Sequence, residues 1–569
     1  NGNTWTTNNL SVTAGAGNDS LVDSPTNYGT DTGVGGSVRG NYATFNPLVL
    51  GSTTTLSDGN LQHAAGATRN LSRSTQAMST GKWYFEITVI NYGTGGDPTV
   101  GIIATTNYNI SAGYAGSSSD SYGYAGNGFK YNVSGSAYGS SFGVNDVIGV
   151  AFNADTGKLF FSKNGIWQNS GDPAAGTGEA FTVTGAYYFA ADCASNTAVI
   201  VANFGQRAFA YTAPSGFKAL CTQNLPAPLV TKSNTVMDVA LWTGNGSTQS
   251  ITGLAFSPDL VWIKARSTSS YNHFLFDVIR GVNKELNSNT TDSEYTRPAP
   301  GSLTAFNSDG FTLNTAVGVN DSGTTYVGWT WDGGTSTVSN TQGSITSQVR
   351  ANPTAGFSVV TYTGNLSSNG NVTVGHGLGV APQLVITKAR SASSRWAVQM
   401  PTALSANNYL ELNSTSAQAS WGAQTRANPT STVFDTIYAG GVNESGVTYV
   451  AYCFSQVVGY SNFGSYAGNG SSGGSFVYTG FRPRWIMVKS TNNTGNWGIW
   501  DGARNSYNES TSRLTANQSA AELNQSATTI DILSNGFKPR NADSDMNASG
   551  YTYIYAAFAE APFNYARAR

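Results

Sequence analysis

One stretch of this chain comes back three times and constrains everything after about residue 235. An Asn-x-Ser-Gly turn runs straight into an apolar strand at residues 320–331, at 443–454 and at 547–558. In the first copy Val327, Trp329 and Trp331 alternate with Tyr326, Gly328 and Thr330; in the second Val450, Tyr452 and Phe454 alternate with Tyr449, Ala451 and Cys453. The third presents Tyr553, Tyr555 and Ala557 on the matching face. A strand with apolar residues on both faces belongs to a sheet that is itself covered. Cys453 stands where the other copies have Thr330 and Ala557, which reads as a small packed residue rather than a nucleophile.

Two further landmarks precede each closing strand in the same order. A Gly-Asn turn occurs at Thr243-Gly244-Asn245, Thr363-Gly364-Asn365 and Ala467-Gly468-Asn469. A proline then leads an apolar run to a lysine: Pro258 to Lys264, Pro382 to Lys388 and Pro483 to Lys489. Landmarks in one order at fixed local spacing predict three tandem β-sandwich domains, at 235–333, 334–457 and 458–569. Residues 334–355, rich in Ser, Thr, Asn and Gly, read as a connector at the head of the second. The stretch 223–234 contains Pro226 and Pro228 and reads as a linker from an N-terminal region at 1–222. Lys264, Lys388 and Lys489 each end an apolar strand, where a long amphipathic side chain is expected to snorkel from a sheet edge; contact with a partner subunit is the other reading.

Composition narrows the function classes. Charged residues make up 11% of the 569, against about 25% in ordinary soluble proteins. Long exposed helices built on Glu–Lys pairs are therefore not expected. A net charge of −2 offers no electrostatic footprint for nucleic acid. No apolar run is long enough for a membrane-spanning helix, so neither nucleic acid nor membrane insertion is expected. Aromatics at 12% and hydrophobics at 39% are enough to bury a core, so disorder does not fit. Cys193, Cys221 and Cys453 are odd in number and far apart, which suits synthesis in a reducing compartment better than a disulfide framework. The chain opens on Asn1 rather than Met, and the expectation is a processed product or part of a longer chain.

The N-terminal region reads differently. Gly81-Lys-Trp-Tyr-Phe-Glu-Ile-Thr-Val89 is a strand with Trp83, Phe85, Ile87 and Val89 on one face. Asp146-Val-Ile-Gly-Val-Ala-Phe-Asn153 is another, followed by the turn Ala154–Gly157, the strand Lys158-Leu-Phe-Phe-Ser162 and the turn Lys163-Asn-Gly165. Asn203-Phe-Gly-Gln206 closes the region. This order resembles the SPRY domain over about residues 40–222, with Asn153 where the family often has Asp. The resemblance implies a bent, concanavalin-like two-sheet sandwich. With its N-terminal extension and the C-terminal copies, the whole chain is similar to virion surface and tail-fibre proteins of tailed bacteriophages, notably those of aquatic bacteria and cyanobacteria.

Candidate chemistry is thin. His63, His273 and His376 have no metal-ligand partner at close spacing, so neither a metal site nor a cofactor is expected. Gly470-Ser-Ser-Gly-Gly474 matches a nucleophile elbow in letters only, since no helix is expected after it. Glu86, Asp120, Asp146, Asp259 and Glu411 read as strand, turn or surface carboxylates, with no pair to name as acid and base. Asp543-Ser-Asp-Met-Asn547 resembles a calcium loop but has Ala548 and Ile554 where glycine and glutamate are needed, which leaves an Asx-rich turn. Binding is expected instead from tyrosines displayed among Gly, Ser and Asn: Tyr108, Tyr114 and Tyr138, with Tyr122 and Tyr124 also candidates although they match a core strand of the family.

The expectation is an all-β, non-enzymatic virion component, a tail fibre or receptor-binding protein recognising a bacterial cell-surface glycan or protein. Its partners would be other virion proteins and copies of itself, a trimer being favoured, and its location the virion surface. A capsid decoration or head-fibre protein is the alternative, and a polysaccharide depolymerase a third.

Overall fold

The computed structural model describes residues 41–560 apart from 51–52, 67–68, 94–95, 106–112, 194–196, 226–227, 300, 423, 425, 440 and 526–527. Strands make up the regular structure of the described residues, joined by turns and short 3-10 segments such as Gln168–Ser170. The protein is all-β.

The N-terminal region is a sandwich of a nine-stranded and a six-stranded sheet packed through one core. Strand Lys82–Asn91 sits inside the larger sheet, with Trp83, Phe85 and Ile87 opposite Phe152, Val150 and Ile148 in register. Phe204, from the closing tetrad, stacks on Phe85 at 5.5 Å. The Asn164–Gly165 turn has both residues at positive φ (50° and 79°), the geometry that joins two strands in a tight hairpin. Simple alternation predicts a wet outer face for Lys82–Asn91, yet Tyr84 and Glu86 are buried as well. The chain after the last sandwich strand lies across them. Phe209 meets Tyr84 edge-on at 4.8 Å, and the backbone N–H groups of Ala210 and Tyr211 donate to the Glu86 carboxylate at 2.7 and 2.9 Å.

Beyond the linker, three further β units follow. In each the closing strand lies between the unit's opening strand and its Pro-to-Lys strand: Thr325–Trp331 between Met237–Thr243 and Leu260–Ala265, Thr448–Phe454 between Phe357–Thr363 and Leu384–Ala389, Thr552–Ala559 between Ser461–Ala467 and Pro483–Ser490. The landmarks recur because they touch. The turn asparagines Asn320, Asn443 and Asn547 accept through Oδ1 from the backbone N–H of Asn245, Asn365 and Asn469, at 3.2, 2.9 and 3.1 Å. Gly323, Gly446 and Gly550 all hold φ near +80°, where a side chain is strained. Residues 334–355 are not a bare connector: Thr337–Asn340 and Ser347–Asn352 extend the second unit's sheet.

In the first two units the two apolar faces of the closing strand have different destinations. Tyr326 packs into the first unit's own small core, and Tyr449, Ala451 and Cys453 into the second's. Val327, Trp329 and Trp331 instead join Val450, Tyr452, Phe454 and Phe558 in one core shared by all three units. The three units therefore share one core in addition to the separate small cores of the first and second. Trp331, Phe454 and Phe558 occupy matching register positions and make a triangle of rings with sides of 6.2, 5.7 and 5.6 Å.

Around this triangle the units close into a ring. Trp396 of the second unit donates its indole N–H to the Asn287 carbonyl of the first at 2.8 Å; Trp497 of the third donates to Glu411 of the second at 2.9 Å. His273 of the first completes the circuit, its Nε2 2.9 Å from the Thr515 carbonyl of the third. Because Trp262 donates to His273 Nδ1 at 2.9 Å, the histidine is neutral with its proton on Nε2. Backbone arms repeat the cycle: Glu294 N–H to Arg390 O, Gln418 N–H to Thr491 O and Glu522 N–H to Arg266 O, at 2.7, 2.7 and 2.8 Å. Arg390 and Arg266 also clamp Glu294 and Glu522 in two-pronged ion pairs.

The repeated lysines correct the reading from sequence. Lys264, Lys388 and Lys489 are fully buried on interior strands, opposite Val327, Val450 and Ile554. Each ammonium donates to the carbonyl of the next residue, at 2.8, 3.1 and 2.8 Å. Lys388 and Lys489 also reach the arms of the neighbouring unit, at Thr291 O (3.2 Å) and Thr415 O (3.3 Å). Each position becomes interior because a further strand covers it, and at Lys388 and Lys489 a neighbouring arm does so as well. Burial pushes all three down to about 8.

The sandwich docks on the third unit. Asn535 Nδ2 donates to the Thr75 carbonyl at 2.8 Å, and Tyr188 and Tyr478 meet edge-on at 5.4 Å. A 210 Å³ cavity lined by Trp83, Asn462, Tyr478 and Tyr555 remains at the junction.

Candidate aromatic binding surface

The sandwich exposes its aromatics along one hairpin of the six-stranded sheet. Strands Phe129–Asn132 and Ser134–Ala137 pair antiparallel, and the outer strand is exposed at every position. Phe129 and Tyr131 share a face, with Phe129 40% and Val133 64% exposed. Tyr131 lies opposite glycine on both sides, Gly135 in one neighbour and Gly123 in the other. A β-carbon at 135 would come within 2.5 Å of the Tyr131 ring, so the glycine lets the ring lie on bare backbone. The ladder then continues: Phe129 to Tyr131 at 6.4 Å, Tyr131 to Tyr114 edge-on at 5.6 Å, and Tyr114 under the Arg69 guanidinium at 4.4 Å. Arg69 is held by the buried Asp192 carboxylate and the Asp97 carbonyl. Ring faces, phenol tips and a fixed cation suit the apolar faces and hydroxyls of a sugar, or an aromatic peptide.

Of the tyrosines expected from sequence, Tyr114 belongs to this ladder, and Tyr108 lies outside the described residues. The others are packing residues, which corrects that expectation. Tyr124 is fully buried against Phe161, Phe142 and Tyr138, and its hydroxyl donates to the Ser140 carbonyl. Tyr138 packs edge-on to Phe161, and burial pushes its phenol up to about 12. Tyr122 packs on Phe181 and Tyr187 with its hydroxyl donating to Ser119 O at 3.2 Å. Sequence reasoning missed Phe129, Tyr131 and Arg69. The available signal was the glycine pair at 123 and 135, whose meaning depends on strand register.

The titratable groups singled out from the sequence are held by burial, ion pairs and backbone contacts. All three histidines are fully buried and shifted down by burial. His376 accepts from Leu378 N–H at Nδ1 and places Nε2 3.1 Å from Thr430 O. Cys193, Cys221 and Cys453 are buried and free, and burial drives the Cys193 and Cys453 thiols upward. Asp146 accepts from Gly143 N–H and pairs with Lys163 at 3.1 Å; Asp259 pairs with Arg350 at 2.6 Å and is raised by burial to about 7; Glu411 pairs with Arg395 at 3.3 Å. These carboxylates sit in separate units. Asp545 is taken by Arg513 and the Asn496 N–H, both at 2.6 Å, while Asp543 Oδ1 accepts from the Asp545 N–H at 2.8 Å. That is the wiring of an Asx-rich turn. Among the described residues no three His, Cys, Asp or Glu side chains converge as metal ligands, and no helix is long and apolar enough to cross a membrane.

Sandwich, aromatic hairpin and closed ring define the class: an all-β protein with a SPRY domain followed by further β-sheet units. Residues 82–207 match the SPRY domain family. Residues 232–562 match a domain of unknown function, DUF7483, and the chain belongs to that family. A curated relative, the dual specificity protein kinase splA of Dictyostelium discoideum, is 36% identical over 101 residues, covering 17% of this chain and 4% of that protein. The SPRY domain of human HERC1 aligns at 16% identity and a TM-score of 0.24, over 28% of this chain and 96% of that one. Stonustoxin aligns at 17% identity and a TM-score of 0.22, over 29% of this chain and 27% of its own.

Proposed function

We propose that this chain is a non-enzymatic surface component of a tailed-bacteriophage virion, a tail-fibre or receptor-binding protein. Its SPRY domain recognises a bacterial cell-surface glycan or protein, and residues 235–569 are three tandem copies of one β module that carry it. The observation behind this reading is the ladder Phe129–Tyr131–Tyr114–Arg69, half-exposed on an open hairpin and fixed from beneath. Such a surface binds weakly at one site and gains from valency on a particle, which a homotrimer would supply. A surface built on 11% charged residues suits contact with uncharged polymers.

Competition tests it. Purified chain added to host cells is expected to block particle adsorption, and the double variant Phe129→Ala/Tyr131→Ala to need at least about tenfold more protein for the same block, the loss of about 1.4 kcal/mol. A folded wild-type chain that does not compete at any concentration sinks the receptor reading. The ring triangle favours a second reading, decoration of a capsid at a site of threefold symmetry.

A further inference from the structure

An open groove of 580 Å³ runs along the first β unit, far in sequence from the SPRY ladder. This volume lies within the range of small-ligand sites. One wall is the turn carrying Tyr271, Asn272 and Phe274; the other is the arm from Glu285 to Arg297 that leaves the unit to grip Arg390 of the second.

Its walls are set in advance. Glu285 is clamped by Arg297 at 2.6 and 3.0 Å and accepts from the Ser302 hydroxyl. Glu294 is bound by Arg390 and Arg280, which hold it below the usual carboxylate range. A general acid for glycoside hydrolysis needs the opposite shift. With both glutamates neutralised in place, the groove presents rigid ion-pair planes.

Aromatic surface lines it. Tyr295 is 52% exposed, with the Arg297 guanidinium 5.5 Å from its ring, and Val317 beside it is 56% exposed. Gly318, at φ +95°, uncovers the turn: a β-carbon there would stand 2.8 Å from the Phe274 ring and 3.5 Å from that of Tyr271. Polar groups for hydroxyl recognition come from Asp292 and Ser293, both exposed, and from Asn272, whose Oδ1 is occupied by Asn289 Nδ2 at 2.8 Å while its amide donors remain.

We infer that this groove is a saccharide-binding site, separate from the SPRY ladder, in which Tyr295 and Tyr271 stack on the apolar face of a neutral sugar and Asn272 and Asp292 bind its hydroxyls. Paired charges argue against a strongly charged ligand. The absence of a deep apolar pocket among the lining residues argues against a peptide anchored by a large side chain.

The test uses the full chain and saturation-transfer NMR with glucose, galactose, mannose, rhamnose and N-acetylglucosamine, each at about 10 mM, where a Kd near 1 mM (about −4.1 kcal/mol) is readily seen. At least one sugar is expected to bind the Phe129→Ala/Tyr131→Ala chain, in which the ladder is removed, and to bind about tenfold or more weakly once Tyr295→Ala is added. Tyr295 is exposed, so its variant is expected to melt with the wild type, and Asp292→Asn provides a second folded probe of the same groove. Binding that neither groove variant weakens overturns the inference. So does silence toward all five sugars, or selection of Tyr295-dependent binders from a peptide library alone. Failure of the SPRY ladder in adsorption leaves these outcomes untouched.

Discussion

His63 is fully buried beside Phe45, with both ring nitrogens lacking a hydrogen-bond partner among the described residues. Burial lowers its pKa to about 4. Between pH 6.5 and 4 the unfolded chain takes up a proton that the folded chain refuses, so this residue costs stability as the pH falls. His63→Leu should therefore gain on the wild type by up to about 3 kcal/mol as pH drops from 7 to 4. Denaturant midpoints at each pH read the difference, and a constant offset would contradict it. The buried lysines act on the alkaline side. From pH 8 to 10 the unfolded chain still holds protons that folded Lys264, Lys388 and Lys489 have shed, so their contribution to stability rises with pH. Buried thiols and phenols oppose this above about pH 9, because their folded pKa values are raised. Comparison with the Lys264→Met/Lys388→Met/Lys489→Met variant cancels that background. Wild type minus variant should climb by up to about 1.4 kcal/mol per pH unit for each lysine.

At the scale of elements, the ring rests on three matching side chains: His273, Trp396 and Trp497. Trp396→Phe keeps most of the ring packing and removes the closer donor to the Asn287 carbonyl, which keeps only the Thr290 N–H at 3.4 Å. A loss of about 1–3 kcal/mol in unfolding free energy is expected, and the same for Trp497→Phe at Glu411. A loss under about 0.5 kcal/mol at both would mean that packing alone holds the joints. These joints also mark where sequence reading stops. The closing strands were readable because alternation is local: Trp329 against Tyr326 already requires two covered faces. The SPRY strands were readable from their motifs. The partners of Trp396 and Trp497 lie in the preceding unit, at a distance no periodicity encodes. Lys388 was misread for the same reason, since the strand after it and the neighbouring arm decide whether its position is an edge. Tyr131 was passed over because only register shows that its neighbours are Gly123 and Gly135.

For the whole molecule, a shared core predicts shared unfolding. The SPRY sandwich has its own core, but Trp331, Phe454 and Phe558 depend on one another across three units. Calorimetry of the full chain should show the three units melting in one cooperative transition. Three resolved transitions for them would mean independent domains. Truncation after residue 457 would remove the Thr515 and Glu522 contacts and bare the tryptophans of the first unit, so that product is expected to aggregate. In the proposed function the ring would serve as the mount of the aromatic hairpin. The most direct test of that account is where the chain resides on a particle. Purified virions imaged by electron microscopy with an antibody raised against the 569-residue chain should carry the label at the tail. Label confined to the capsid would move the protein to decoration, and intact virions without the chain would contradict a virion role altogether.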